Sequence, residues 1–196
     1  MLQLTKKERE TMLILFKNIY DFYNANSISK VLGISHVGAQ KILKRLLKEN
    51  LLINRQIGKS IIYKLMLDED YVCKLMTFLL ADEANNFKMW IEEFKELYKE
   101  NRIIILFGSI LKNPAQARDI DMMLVIKKQE FRQAYGIIKK RQEIFPKNIH
   151  SIELTEDDLL RNIKNKNQAT LDIIKNGVIL YGQELYVKII KNVTSL

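Results

Sequence analysis

Two apolar runs, RIIILF from Arg102 to Phe107 and DMMLVI from Asp121 to Ile126, bracket the stretch GSILKNPAQARDI. No other feature constrains the fold as tightly. Each run reads as a core strand, so the residues between them gather at one end of a sheet. The first strand ends in Gly108 and Ser109, and the spacing predicts a helix or turn from Ser109. Glycine lets a ligand approach the backbone, serine offers a hydroxyl, and N–H groups at a helix start can hold a phosphate. The second strand is entered through Asp119 and Asp121. They share parity, so their carboxylates point to the same side. Two convergent carboxylates are how proteins hold Mg²⁺ against substrate phosphates. Without the Gly-Ser turn beside it, Asp-x-Asp would suit a solvated strand entrance or a pair of helix-capping acids equally well.

The 196 residues are enough for one large domain or two small ones. Cys73 is the only cysteine, which excludes an internal disulfide and a zinc site built on several thiolates. No apolar run approaches the ~18 residues needed to cross a bilayer. The opening MLQLTKKERE is charged too early for a signal peptide. The expectation is a cytoplasmic protein with no membrane partner. Charge is spread unevenly. Residues 1–67 hold 12 Lys and Arg against 4 Asp and Glu, 68–100 hold 4 against 9, and 101–196 hold 16 against 10. A strongly basic leading segment suits nucleic acid. It also suits ordinary solubilising surface.

Three blocks follow from the pattern. In residues 1–67, Thr5 and Glu8 predict a capping box, followed by a helix with Met12, Leu13, Leu15, Phe16 and Ile19 as its stripe. Asn24, Asn26 and Ser27 read as a break. A short helix over 27–32 ends at Gly33, and a second runs over 36–49 behind Ser35 as N-cap, with Val37, Ile42, Leu43, Leu46 and Leu47 apolar. Strands over 51–55 and 60–67 flank a turn at Gly58. Residues 68–100 read as two helices, 69–80 and 85–100. The second carries Phe87, Trp90, Ile91, Phe94, Leu97 and Tyr98, which suit either a dimer seam or an internal core. From 101 to 196 strands and helices alternate: strands at 102–107, 121–126, 148–154 and 178–181, helices at 129–142, from Thr155, where Thr155 to Asp158 again makes a capping pattern, and at 171–176. That alternation predicts a small α/β or α+β domain.

The sequence from Ser27 to Leu65, SISKVLGISHVGAQKILKRLLKENLLINRQIGKSIIYKL, resembles a winged helix-turn-helix domain. The resemblance implies a recognition helix whose first turns face base edges in double-stranded DNA. Ser35, His36, Gln40, Lys41 and Lys44 would face the groove, with Gln40 suited to adenine and the lysines to guanine or phosphate. Arg55 and Lys59 would sit on the wing. Gly38 would keep a bulky side chain away from the DNA. Winged domains also serve as protein contacts, so a docking module is the competing reading.

The stretch Gly108-Ser109, a loop of about ten residues, then Asp119-Ile120-Asp121, resembles the small nucleotidyltransferase domains of prokaryotes. The tail NGVILYGQEL, from Asn176, is similar to the end of many of them. The resemblance implies transfer of a nucleoside monophosphate from an NTP with release of pyrophosphate. Asp119 and Asp121 would bind Mg²⁺ or Mn²⁺ and be catalytic, and Gly108 and Ser109 would hold the triphosphate. The chain departs from the family pattern around the phosphate loop, where Lys112 and Arg118 would supply charge. Family members add a third carboxylate on a later strand. The strand NIHSIEL offers Glu153 for that role, with His150 on the opposite parity as the other candidate.

Together these readings predict a two-domain chain: a winged helix-turn-helix (1–67), a helical connector with dimerising potential (68–100), and an α/β nucleotidyltransferase-like domain with a small mixed sheet (101–196). Three functions remain open. One is a regulatory DNA-binding protein, a homodimer, whose second domain binds NTP and Mg²⁺. Another is an active transferase moving a nucleotide such as AMP onto a protein, a toxin partner or a small molecule. The third is an inactive interaction protein.

Overall fold

A computed structural model describes residues 2–194. They form a mixed α/β protein with a two-stranded and a four-stranded sheet. Packing divides it into two units, one running to Leu79 and the other from Leu80 to Thr194. The expected middle segment, 68–100, therefore does not stand apart.

The first unit begins with α1 (Lys6–Lys17), opened by the expected box: Glu8 N–H donates to Thr5 Oγ1 at 3.3 Å, and Thr5 N–H donates to Glu8 Oε2 at 2.7 Å. Helix α2 (Ala25–Leu32) starts earlier than its spacing suggested, because Asn24 and Ser27 form a second capping box. The residues that read as a break are the helix start. Gly33, at φ 62°, ends it in the left-handed region. Helix α3 (His36–Lys48) follows, with Gly38 N–H donating to Ser35 Oγ at 3.1 Å. It buries Ala39, Leu43 and Leu46. Val37, expected in the apolar stripe, is 59% exposed. It lies two residues before Ala39, about 200° around the helix from the inward face. Strands β1 (Leu52–Ile57) and β2 (Ser60–Leu65) pair antiparallel around the turn at Gly58. Tyr63 N–H donates to Tyr23 O at 2.9 Å and ties the hairpin to the segment before α2.

Helix α4 (Asp70–Ala84) carries the chain from the first unit into the second. The single helix expected over 85–100 is broken. It consists of a 3-10 turn (Asn85–Phe87), the short α5 (Lys88–Glu93) and a second 3-10 turn (Lys95–Leu97). The breaks turn Trp90, Phe94 and Leu97 into the second unit's core. There Trp90 stacks on Phe94 at 6.0 Å between centroids, and both meet Phe145, at 5.9 and 6.4 Å. Phe87 packs on the same cluster. These aromatics are an intramolecular core, so the dimer seam drawn through Phe87, Trp90 and Phe94 is not there.

The second unit is built on β3 (Ile103–Phe107), β4 (Asp119–Val125), β5 (Asn148–Leu154) and β6 (Val178–Tyr181), in the order β5-β4-β3-β6. Strand β3 runs antiparallel to β4 and β6, while β4 and β5 are parallel. The crossover from β4 to β5 runs through a 3-10 turn (Lys128–Glu130) and α6 (Phe131–Gln142). Ile104, Leu106, Ile120, Met122 and Leu124 share one face and pack with Trp90, Ala134 and Ile138. The chain continues through α7 (Glu156–Lys164), capped by Thr155 and Asp158 as their spacing predicted, α8 (Gln168–Asn176), and α9 (Gln183–Thr194), which the sequence reading did not find. Among the described residues no helix is long and apolar enough to cross a membrane.

Candidate functional site

The Gly-Ser turn and the aspartates meet at one end of the four-stranded sheet. Phe107 pairs with Asp121 across β3 and β4, so Gly108 follows directly beside Asp121. Gly108 has φ 83° and ψ −158°, a conformation that only glycine adopts readily. A Cβ there would overlap Asp121 Oδ2. Glycine is thus required twice, for its backbone angles and for the carboxylate lodged against it. Asp119 and Asp121 share a face of β4 with the buried Met123 and Val125, and are half-exposed where the strand emerges from the core.

The helix or turn expected from Ser109 is a single 3-10 turn, Ser109–Leu111. It is too short to present a helix dipole to a phosphate. Ser109, Lys112 and Arg118 are exposed around it. The loop leading to Asp119 is held from within. Ala117 N–H donates to Asn113 O at 3.0 Å, and the Lys147 ammonium donates to Ala117 O. Lys147 was not singled out in the sequence, because its link to the loop spans 30 residues.

The third position is decided by the parallel register of β4 and β5. Asp121 lies opposite His150, and Leu124 lies opposite Glu153. Residues opposite one another point to the same face. His150 therefore joins the aspartates, with Nδ1 3.6 Å from Asp121 Oδ1. That separation exceeds a hydrogen bond. Glu153 is turned to the face of Leu124, where its carboxylate accepts a hydrogen bond from Ser151 Oγ at 2.6 Å. It stands apart from the aspartate pair, in contrast to the role expected for it.

Among the described residues, no group of three or more His, Cys, Asp or Glu is placed to hold a metal ion. Two carboxylates on one strand face nevertheless fit Mg²⁺ in its usual protein setting, where one or two carboxylates share the ion with phosphate oxygens and water. The space that Gly108 leaves at Asp121 keeps one of those carboxylates at the mouth of the turn.

The first unit offers a second candidate surface. His36, Gln40, Lys41 and Lys44 are exposed on α3, and Arg55 and Lys59 are exposed on the hairpin. No acidic residue occurs within α3. Ser35 is exposed, but its oxygen is engaged as the N-cap. Gly38 has a local reason as well as any clearance for DNA: a Cβ there would sit 3.2 Å from Ser35 Oγ. Arg45 leaves the face. Its Nη1 donates to both oxygens of the buried Glu8 at 2.7 Å, and its Nη2 donates to Gln3 O at 2.6 Å. This pair ties α1 to α3.

No family model matches the chain, and no curated protein matches it. Two solved structures align with it, both point mutants of Lactococcus lactis ZitR. One is 16% identical over 49% of this chain and 61% of that chain, with a TM-score of 0.35. The other is 15% identical over 74% of this chain and 77% of that one, also at 0.35. The chain thus spans less than two thirds of the first of these.

Proposed function

We propose that the chain is a regulatory DNA-binding protein, with a winged helix-turn-helix in its first unit and a nucleotidyltransferase-like second unit that binds a nucleoside triphosphate with Mg²⁺. The observation that carries the proposal is the outer face of α3. His36, Gln40, Lys41 and Lys44 project from one helix with no acid among them, behind the tight turn at Gly33. A helix with its amide and ammonium groups facing outward matches what a major groove reads. The hairpin adds Arg55 and Lys59 for the flanking backbone. Two copies bound to one duplex would read half-sites about 34 Å apart, and light scattering of the complex counts them.

The test is duplex affinity against salt. Lys41→Ala with Lys44→Ala should weaken binding to every duplex and flatten the slope of log K against log salt by about 1.8, at ~0.9 per phosphate contact. An unchanged slope would remove α3 from the interface.

In the second unit, Asp119 and Asp121 would hold Mg²⁺ with the phosphates, and the turn at Gly108 and Ser109 would receive the triphosphate. The ion would supply charge neutralisation on the phosphates. One observation favours an active transferase as a second reading: His150 stands on the aspartate face beside Asp121. An acceptor hydroxyl would attack the α-phosphorus, a new O–P bond would form, and pyrophosphate would leave with the electrons of the broken bond. His150 would accept the hydroxyl proton in place of the family's third carboxylate. Pyrophosphate release from an NTP panel tests this reading. His150→Ala should abolish release while Glu153→Gln leaves it intact. Nucleotide binding without release would assign the unit to sensing.

A further inference from the structure

We infer that the outer face of α6 is a binding surface for single-stranded nucleic acid. The helix, FRQAYGIIKKRQ, contains no acidic residue. Arg132, Tyr135, Gly136, Lys139 and Lys140 are all exposed. Their spacing of three and four places them along one stripe, and Arg132 to Lys139 spans about 10 Å of helix. Lys128, exposed in the preceding 3-10 turn, prolongs the stripe. Among the described residues no hydrogen bond or ion pair engages Arg132, Lys139 or Lys140 through its side chain. Arg141, next in sequence but turned the other way, meets Glu93 at 3.5 Å and Glu96 at 2.5 Å. The stripe is therefore cationic with no ion pair inside it, and Glu143, exposed at the C-cap, closes its far end.

Two features separate it from a merely solubilising face. The ring of Tyr135 is 61% exposed in the middle of the cations. Beside it stands Gly136, in mid-helix, where a Cβ would meet nothing within 4 Å. Glycine weakens a helix interior, and no packing neighbour here demands it. It leaves a gap in the stripe between Arg132 and Lys140, four residues to either side. A bare aromatic face between cations is the arrangement that stacks an unpaired base while holding the phosphates on either side. A duplex fits it poorly, because paired bases have both faces covered by their neighbours.

The test uses the full chain and oligo(dT) as probe, with a hairpin duplex and vesicles of anionic phospholipid as comparison arms. Tyr135→Ala should weaken oligo(dT) binding by between about fivefold and a hundredfold, while Tyr135→Phe, which keeps the ring, binds normally. Changing Arg132, Lys139 and Lys140 together to Ala should flatten the salt slope by about 2, at ~0.7 per phosphate of a single strand. All four positions are exposed, and an unchanged melting temperature verifies that the variants fold. Lys41→Ala with Lys44→Ala should leave oligo(dT) affinity intact, so failure of duplex reading by α3 and failure of this proposal are read separately. Oligo(dT) affinity that is absent, or indifferent to Tyr135→Ala, overturns the proposal. So does vesicle binding that depends on the three cations while the strand does not bind.

Discussion

Gly108 is the residue on which the second unit's site turns. Its φ of 83° costs any other residue backbone strain, and the space a Cβ would fill belongs to Asp121. Gly108→Ala should therefore do two things at once. It should lower stability by about 1–3 kcal/mol, the cost of a residue held in such a backbone region. It should also displace the Asp121 carboxylate and weaken binding of Mg²⁺ with nucleotide. Asp121→Asn should reproduce the binding loss without the strain. Urea unfolding and calorimetric titration of both variants separate the two effects. If Gly108→Ala binds nucleotide as the parent does, the turn is not the triphosphate cradle.

At the level of elements, the ion pair between the buried Arg102 and the partly exposed Glu130 joins the start of β3 to the start of α6. Arg102 is 2% exposed. Its Nε donates to Glu130 Oε2 at 3.2 Å, its Nη1 to Leu97 O at 2.9 Å, and its Nη2 to Gln133 Oε1 at 3.2 Å. The hydrogen bond from Arg102, with a second from Lys99, holds the Glu130 carboxyl down to about 2. A carboxylate with a depressed pKa stabilises the fold fully above its unfolded value and loses that contribution as pH falls to the folded one. Stability of the second unit should thus decline between about pH 4.5 and pH 2. Glu130→Gln should remove that part of the decline. At neutral pH it should cost about 1–3 kcal/mol, because the buried Arg102 loses its counter-charge while keeping its hydrogen bonds to Leu97 and Gln133. Thermal melts across pH check both signs. None of this was legible in the sequence, where Arg102 read only as the first residue of a strand. Local signals fared better. The Thr5–Glu8 and Thr155–Asp158 boxes, the Gly33 stop and the β5 span were all readable, because each is set by neighbours in the chain. The placement of His150 on the aspartate face depended on the register of β5 against β4, which two strands fix only by packing together. Tyr135 drew no notice because a tyrosine in a helix reads as core until its exposure is known.

For the whole molecule the question is whether the two candidate sites speak to each other. Helix α4 runs without glycine or proline across the boundary at Leu79 and Leu80, and an uninterrupted helix is the kind of element through which coupling travels. A regulator needs that coupling, whereas an enzyme merely tethered to DNA does not. If nucleotide changes duplex affinity by some factor, duplex must change nucleotide affinity by the same factor, since the two describe one free energy. We expect a factor of about five or more, corresponding to ~1 kcal/mol, the lower end of measured allosteric couplings. Titrating duplex with and without saturating nucleotide and Mg²⁺, then nucleotide with and without duplex, measures the factor twice. Breaking α4 with a glycine pair at exposed positions such as Lys74 and Phe78 should bring it toward one while each site binds its own ligand as before. A factor of one in the parent protein would mean that nucleotide is not the signal for DNA binding, and would leave the transferase and the inactive interaction protein as the readings of the second unit.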